Sequence, residues 1–101
     1  MTIVLTKYMK LARKTEKTWR NYSKNPKRVA IELKRRKEEL ERLDEGELLP
    51  HEETSRHYLL AGLAGLIHAA DTINEPALNL AILNLNRARF ALEAGGERYG
   101  G

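Results

Sequence analysis

Residues 58–92 constrain this chain more than any other stretch. They form two apolar segments separated by Asn74-Glu75-Pro76, and a proline at that point opens a second helix rather than continuing the first. Projected at about 100° per residue, positions 58–73 carry two apolar faces. Leu59, Leu60, Leu63, Leu66, Ile67 and Ile73 make a bulky one, while Ala61, Gly62, Gly65 and Ala69 make a small one. A glycine inside a helix costs roughly 1 kcal/mol against alanine, so two of them need a compensating reason. Close approach of another helix along the Gly62/Gly65/Ala69 strip supplies it. A helix apolar on two sides is buried on two sides. The unbroken apolar run at 58–67 falls far short of the roughly 20 residues that cross a bilayer, so it reads as a core helix and no transmembrane segment is expected.

The second segment predicts a helix over 76–94. Leu78, Ala81, Leu85, Ala88 and Leu92 form its core stripe. Leu83 and Phe90 fall on the opposite side beside Asn79, Asn86 and Arg87, which leaves two large apolar side chains in water unless something covers them. Scattered exposed apolar residues are ordinary, and so is the alternative that these five mark an interface for self-association.

Upstream, positions 3–23 fit one amphipathic helix. Val4, Leu5, Tyr8, Leu11, Ala12, Trp19 and Tyr22 share a face; Lys7, Lys10, Arg13, Lys14, Lys17, Arg20 and Lys24 occupy the other, with Glu16 the only acid. Asn25 is a favourable N-cap and Pro26 a favourable first residue for a helix over 26–43. That helix has a narrow seam of Val29, Leu33, Leu40 and Leu43, interrupted by Arg36, and belongs at the periphery. Lys34/Glu38, Arg35/Glu39 and Lys37/Glu41 are spaced to pair along its outside, in the weaker basic-first order. Asp44-Glu45-Gly46 ends it. Pro50 opens a third helix over 50–73, with Glu52 and Glu53 in the first turn where negative charge suits the macrodipole; Thr54 and Ser55 are competing caps. Gly95-Gly96 predicts a stop, leaving 95–101 as a polar tail. The expected fold is all-α: one domain, an antiparallel four-helix bundle, regular or irregular, with the hairpin of helices three and four as its core.

Charge divides the chain. Residues 1–43 hold 14 Lys/Arg against 5 Asp/Glu, a surplus of +9, whereas residues 44–101 carry a net −5. Such a split concerns partners and assembly rather than fold. Lys7, Lys10, Arg13, Lys14, Lys17, Arg20, Lys24, Lys27, Arg28, Lys34 and Arg35 are the candidate contacts to nucleic-acid phosphates, independent of base sequence because no base-reading element accompanies them. A solvated basic face and an anionic membrane surface are the competing readings of the first helix. An apolar fraction of 42% beside 32% charged residues argues against disorder.

Enzyme chemistry has little to stand on. Without cysteine there is neither disulfide nor thiolate zinc site. His57 and His68 are eleven apart, about 16 Å along a helix, too far to share an ion. Glu53/His57 and His68/Asp71 each supply two ligands where zinc takes three or four. A structural or titrating role suits them better, and nothing in the sequence assigns a role to His51. No nucleophile motif or phosphate loop is present, and the acids at 38–53 are expected in solvent. Neither cofactor nor metal is expected. No signal-peptide core precedes the first helix, so the expected location is cytoplasmic or intracellular, or within a nucleoprotein particle. The sequence thus favours a non-enzymatic, self-associating, nucleic-acid-associated subunit of packaging, nucleoprotein or capsid type. The alternative is an adaptor or inhibitor whose basic half docks an acidic protein surface.

Overall fold

The computed structural model describes residues 6–72 and 75–100, the last six of these by their backbone alone. Most of those residues are helical and none is in a β-strand: α1 is Lys7–Trp19, α2 Pro26–Glu41, a 3-10 turn covers Glu45–Glu47, α3 is Pro50–Asp71 and α4 Glu75–Gly100. No helix among them is long and apolar enough to cross a membrane.

Capping chemistry sets the boundaries. Thr6 accepts a hydrogen bond from the Met9 N–H and starts α1. Asn25 does the same for the Arg28 N–H, with Pro26 at the first helical position. α3 opens at Pro50, not at Thr54 or Ser55; Ser55 lies buried inside the helix. α1 closes at Trp19, and residues 20–24 form a tight turn into α2. The expected positions Val4, Leu5, Ile73 and Asn74 lie outside the described residues. α4 runs through Gly95-Gly96 to Gly100 instead of stopping. Glycine permits a left-handed cap without enforcing one, and its cost of about 1 kcal/mol inside a helix is small enough for a long helix to carry.

The α3–α4 hairpin is the most extensive packing in the molecule. A Cβ added to Gly65 would stand 2.8 Å from the Ala81 Cβ, and one at Gly62 would meet the Leu85 side chain at 2.7 Å and the Ala81 carbonyl at 3.0 Å. The small strip therefore admits α4 to backbone distance, as its spacing predicted, although Ala61, assigned to that strip, is exposed. Leu59, Leu63 and Leu66 are buried with Ala81, Leu85 and Ala88, while Leu78 and Leu92 pack at the margin. α2 lies along α3 through Val29, Ala30, Leu33 and Leu40. Where its seam is interrupted, Arg36 sits half-buried and pairs with Glu39 at 2.9 Å. Of the three predicted pairs on this helix, Lys37–Glu41 forms at 2.8 Å; Glu39 takes Arg36 in place of Arg35, and Lys34 and Glu38 stay apart.

α1 reaches the hairpin by side chains more than by backbone. Tyr8 is buried and its hydroxyl lies 2.6 Å from Ser55 Oγ, which donates to the Ala88 carbonyl at 2.7 Å. Tyr22 donates to the Leu66 carbonyl at 2.9 Å. Thr6 donates to Glu52, and Glu52 also accepts the Leu49 N–H at 3.0 Å. The N-terminal caps of α1 and α3 are thus joined through one carboxylate. Glu52 is 0% exposed, against the expectation of a solvated acid. The buried Arg56 spans α3 and α2, taking Glu53 through two hydrogen bonds of 2.8 and 2.9 Å and donating to the Leu40 and Leu43 carbonyls. Those carbonyls end α2, where a cation suits the macrodipole. Thr15 and Thr18, buried in the middle of the α1 apolar face, satisfy their hydroxyls on the Leu11 and Lys14 carbonyls one turn back.

Burial, opposed by the Ser55 hydrogen bond, pushes the Tyr8 phenol from 10.0 up to about 12. Stability from this group is complete below pH 10 and is lost as pH rises toward 12, because the unfolded chain releases the proton first. Urea melts taken across pH 9–11.5 should show a decline that is measurably shallower in Tyr8→Phe; identical slopes would contradict the assignment. The helix approach gives a second expectation. Gly65→Ala should lose about 1 kcal/mol net, since overpacking costs typically 1–3 kcal/mol and improved helix propensity returns about 1. That is a fall of roughly 4–8 °C in Tm for a domain of this size. Gly46→Ala, which would meet nothing within 4 Å, should melt with the parent.

Candidate nucleic-acid interface

All eleven predicted phosphate contacts are exposed. Lys7, Lys10, Arg13, Lys14, Lys17 and Arg20 project along the solvent side of α1; Lys24 follows in the turn; Lys27 and Arg28 stand in the first turn of α2, with Lys34 and Arg35 farther along it. Their neutralisation is slight. Lys7 reaches Glu47 at 3.4 Å and Arg20 pairs with Glu16 at 3.0 Å, both well into solvent. Among the described residues, the remaining nine have no carboxylate within 4.0 Å. Surface pairs of this kind contribute about 0–1 kcal/mol each, so even the two paired cations are available to a stronger anion.

Two further observations bear on this charge. Neither α1 nor α2 has an acid in its first turn, and both place basic residues there instead. Positive charge at a helix N-terminus opposes the macrodipole by roughly 0.3–1 kcal/mol, so it is held at some cost to the helices. The positive tract is also not one surface. Lys34 lines a groove between α2 and α3 with Lys37, Glu38, Ala64, Ile67, His68 and Asp71, and its charge is mixed with acids. The α1 face and the start of α2 remain the dense part: residues 7–24 hold seven basic side chains and one acid.

The sequence missed Arg89. It comes from the acidic half of the chain, yet α4 delivers it to the edge of the basic face, 3.5 Å from Glu16. Arg13, Glu16, Trp19, Arg89 and Leu92 line the same crevice between α1 and α4. Its position one residue beyond Ala88 on the core stripe marks it as a flanking residue, but only the packing partner of that flank reveals which charge it meets.

On the outward side of α4, Leu83 is 45% and Phe90 72% exposed, with Asn79, Asn86 and Arg87 exposed around them. Leu80, at 56%, extends this strip and was not anticipated. Arg87 lies over the Tyr58 ring, 6.0 Å from its centroid, and Phe90 and Ala91 complete a shallow groove there. Ile82 is also exposed but on another side, where it lines an apolar cleft with Trp19, Tyr22, Pro26 and Leu78.

His57 and His68 are exposed, His57 meeting Tyr58 edge-on at 5.6 Å. No cluster of three or more potential metal-ligating side chains occurs among the described residues. Burial, reinforced by Asp71, raises the Tyr22 phenol, whose hydroxyl is already committed to Leu66. No family model matches this chain, and neither a curated protein nor a solved structure is found similar to it.

Proposed function

We propose that the protein is a non-enzymatic, nucleic-acid-associated subunit that lies against phosphates through α1 and the start of α2 and self-associates through the outer strip of α4. The observation that carries this reading is the largely unneutralised charge along the solvent side of α1 and in the first turn of α2, where Lys27 and Arg28 oppose the macrodipole. A helix of 13 residues spans about 20 Å, comparable to several phosphate spacings along a duplex, so a single face can meet several phosphates at once. Contacts of this type are independent of base sequence. The aromatic residues Tyr8, Trp19 and Tyr22 sit on the core side of α1, which favours backbone contact over base stacking.

The pairings along the helices support an antiparallel four-helix bundle as the frame. Tyr8 meets Ser55 and Tyr22 meets Leu66, which suits α1 running with α3. Ser55 meets Ala88 while Gly65 faces Ala81, and Arg56 meets Leu40 while Ala64 and His68 share a groove with Lys34, which suits α4 and α2 running against it. In such a frame the α4 strip and the α1 basic face lie on different sides, which lets copies associate while each keeps its phosphate surface open. A packaging, nucleoprotein or capsid-type role fits that combination, inside a cell or a nucleoprotein particle. The adaptor reading, with an acidic protein in place of nucleic acid, draws on the same charge and would use the apolar strip for a second protein contact.

Mobility-shift titrations with random duplex and single-stranded oligonucleotides are expected to show binding that weakens steeply with salt. Lys10→Glu with Lys14→Glu should reduce affinity for every sequence alike and make the logarithmic salt slope shallower by about 2. No shift at low salt would rule the reading out. Light scattering should separate a multimeric parent from a smaller Phe90→Asp variant; equal monomeric masses would remove the α4 interface.

A further inference from the structure

Glu16 is the only acid on α1, and it lies within ion-pairing distance of two guanidinium groups, one from the C-cap of α1 and one from α4. The Arg20 guanidinium nitrogen is 3.0 Å from its Oε1 and that of Arg89, on α4, is 3.5 Å from the same oxygen. Arg13 lines the crevice beside them. Two arginines converging on one carboxylate oxygen, with a third beside them in the crevice, is an arrangement in which arginines can hold a phosphate, with a carboxylate in the phosphate's place. Arg89 has a second tether, Glu93 at 3.1 Å, which fixes its reach toward α1. These ion pairs are weak because both arginines are largely in solvent, so a polyanion arriving on α1 competes with Glu16 on favourable terms.

We infer that Arg13, Arg20 and Arg89 form one phosphate seat at the α1–α4 edge, occupied internally by Glu16, whose carboxylate sets an upper limit on nucleic-acid affinity. This rests on the nucleic-acid reading above and adds to it a residue, Arg89, from the acidic half of the chain, together with an intrinsic brake. When a phosphate takes the seat, Glu16 is left beside it as a like charge; removing that charge strengthens binding. One additional phosphate contact is worth about fivefold at roughly 0.15 M salt and steepens the logarithmic salt slope by about 0.9.

The test is a fluorescence-anisotropy titration of the full chain against labelled random-sequence duplex DNA at several salt concentrations. Glu16→Gln is expected to bind about fivefold tighter with the steeper slope, whereas Glu32→Gln, the same charge change at an exposed acid on α2, leaves the slope unaltered. Adding Arg89→Gln to Glu16→Gln should abolish the gain. Trp19, the only tryptophan, lines the seat, so its emission should respond to DNA in the parent and more strongly in Glu16→Gln. A Glu16→Gln gain no larger than that of Glu32→Gln, or one that survives Arg89→Gln, would overturn the seat while leaving the wider reading intact. A parent that binds no DNA at low salt overturns both, and unchanged circular-dichroism melts of the variants exclude misfolding as the cause of any loss.

Discussion

The approach of α4 to the Gly62/Gly65 strip of α3 is the constraint on which the rest of the molecule depends. At Gly65 the neighbouring helix stands so close that even a methyl group would lie inside ordinary contact distance of Ala81. Helices that near exclude water from their shared face and bring Leu59, Leu63, Leu66, Leu85 and Ala88 into one layer. Two glycines in a helix weaken it locally, and the contact they permit outweighs that weakness. Everything else is fastened to this pair: α2 by an apolar seam and the Arg56 cap, α1 and the turn after it by two tyrosines and by Thr6 on the carboxylate of Glu52.

That fastening explains how a helix so positively charged can stay on the domain. α1 presents Lys and Arg to solvent along most of its outer surface, and mutual repulsion among them works against compactness. It is retained by buried polar contacts, not by neutralisation of its charge. Tyr8 and Tyr22 reach across to Ser55 and Leu66, each hydroxyl satisfied, so that long side chains fill the gap a bulky-on-bulky interface leaves. Because the retaining groups lie on the inner face, the outer face can carry that charge at a cost the inner contacts offset. This separation of roles along one helix is the physical basis for reading its basic side as a surface that meets something anionic.

A carboxylate does two different things in this protein, and environment decides which. Glu52, sealed from solvent, accepts from Thr6 and from the Leu49 N–H and joins two helix starts; its charge is stabilised where the macrodipole of α3 is positive. Glu16 sits at the edge, shared between Arg20 and Arg89, and ties α1 to α4 by an interaction that solvent keeps weak. The first is structural because no competing ligand can reach it. The second is open to competition, which is why the same residue type reads as a reporter of function there.

Much of this was determined by the sequence alone. The 3.6-residue period placed Leu78, Ala81, Leu85 and Ala88 inward and Leu83 and Phe90 outward, and the Asn25-Pro26 and Pro50 signals located two helix starts. The glycine pair announced a close partner for α3. These are local properties, set by side-chain period and backbone chemistry within a few residues. Other features are decided by residues distant in the chain and so have no local signature. Ser55 and Glu52 look like ordinary helix-start polar residues until Tyr8 and Thr6 arrive from 47 and 46 positions away, respectively. Arg56 becomes a cap for α2 only when α3 lies alongside it, and Arg89 joins the basic face only because α4 packs against α1. The persistence of α4 through Gly95-Gly96 belongs with these, since glycine's preference for a stop is a weak local bias of about 1 kcal/mol that the rest of a helix can override.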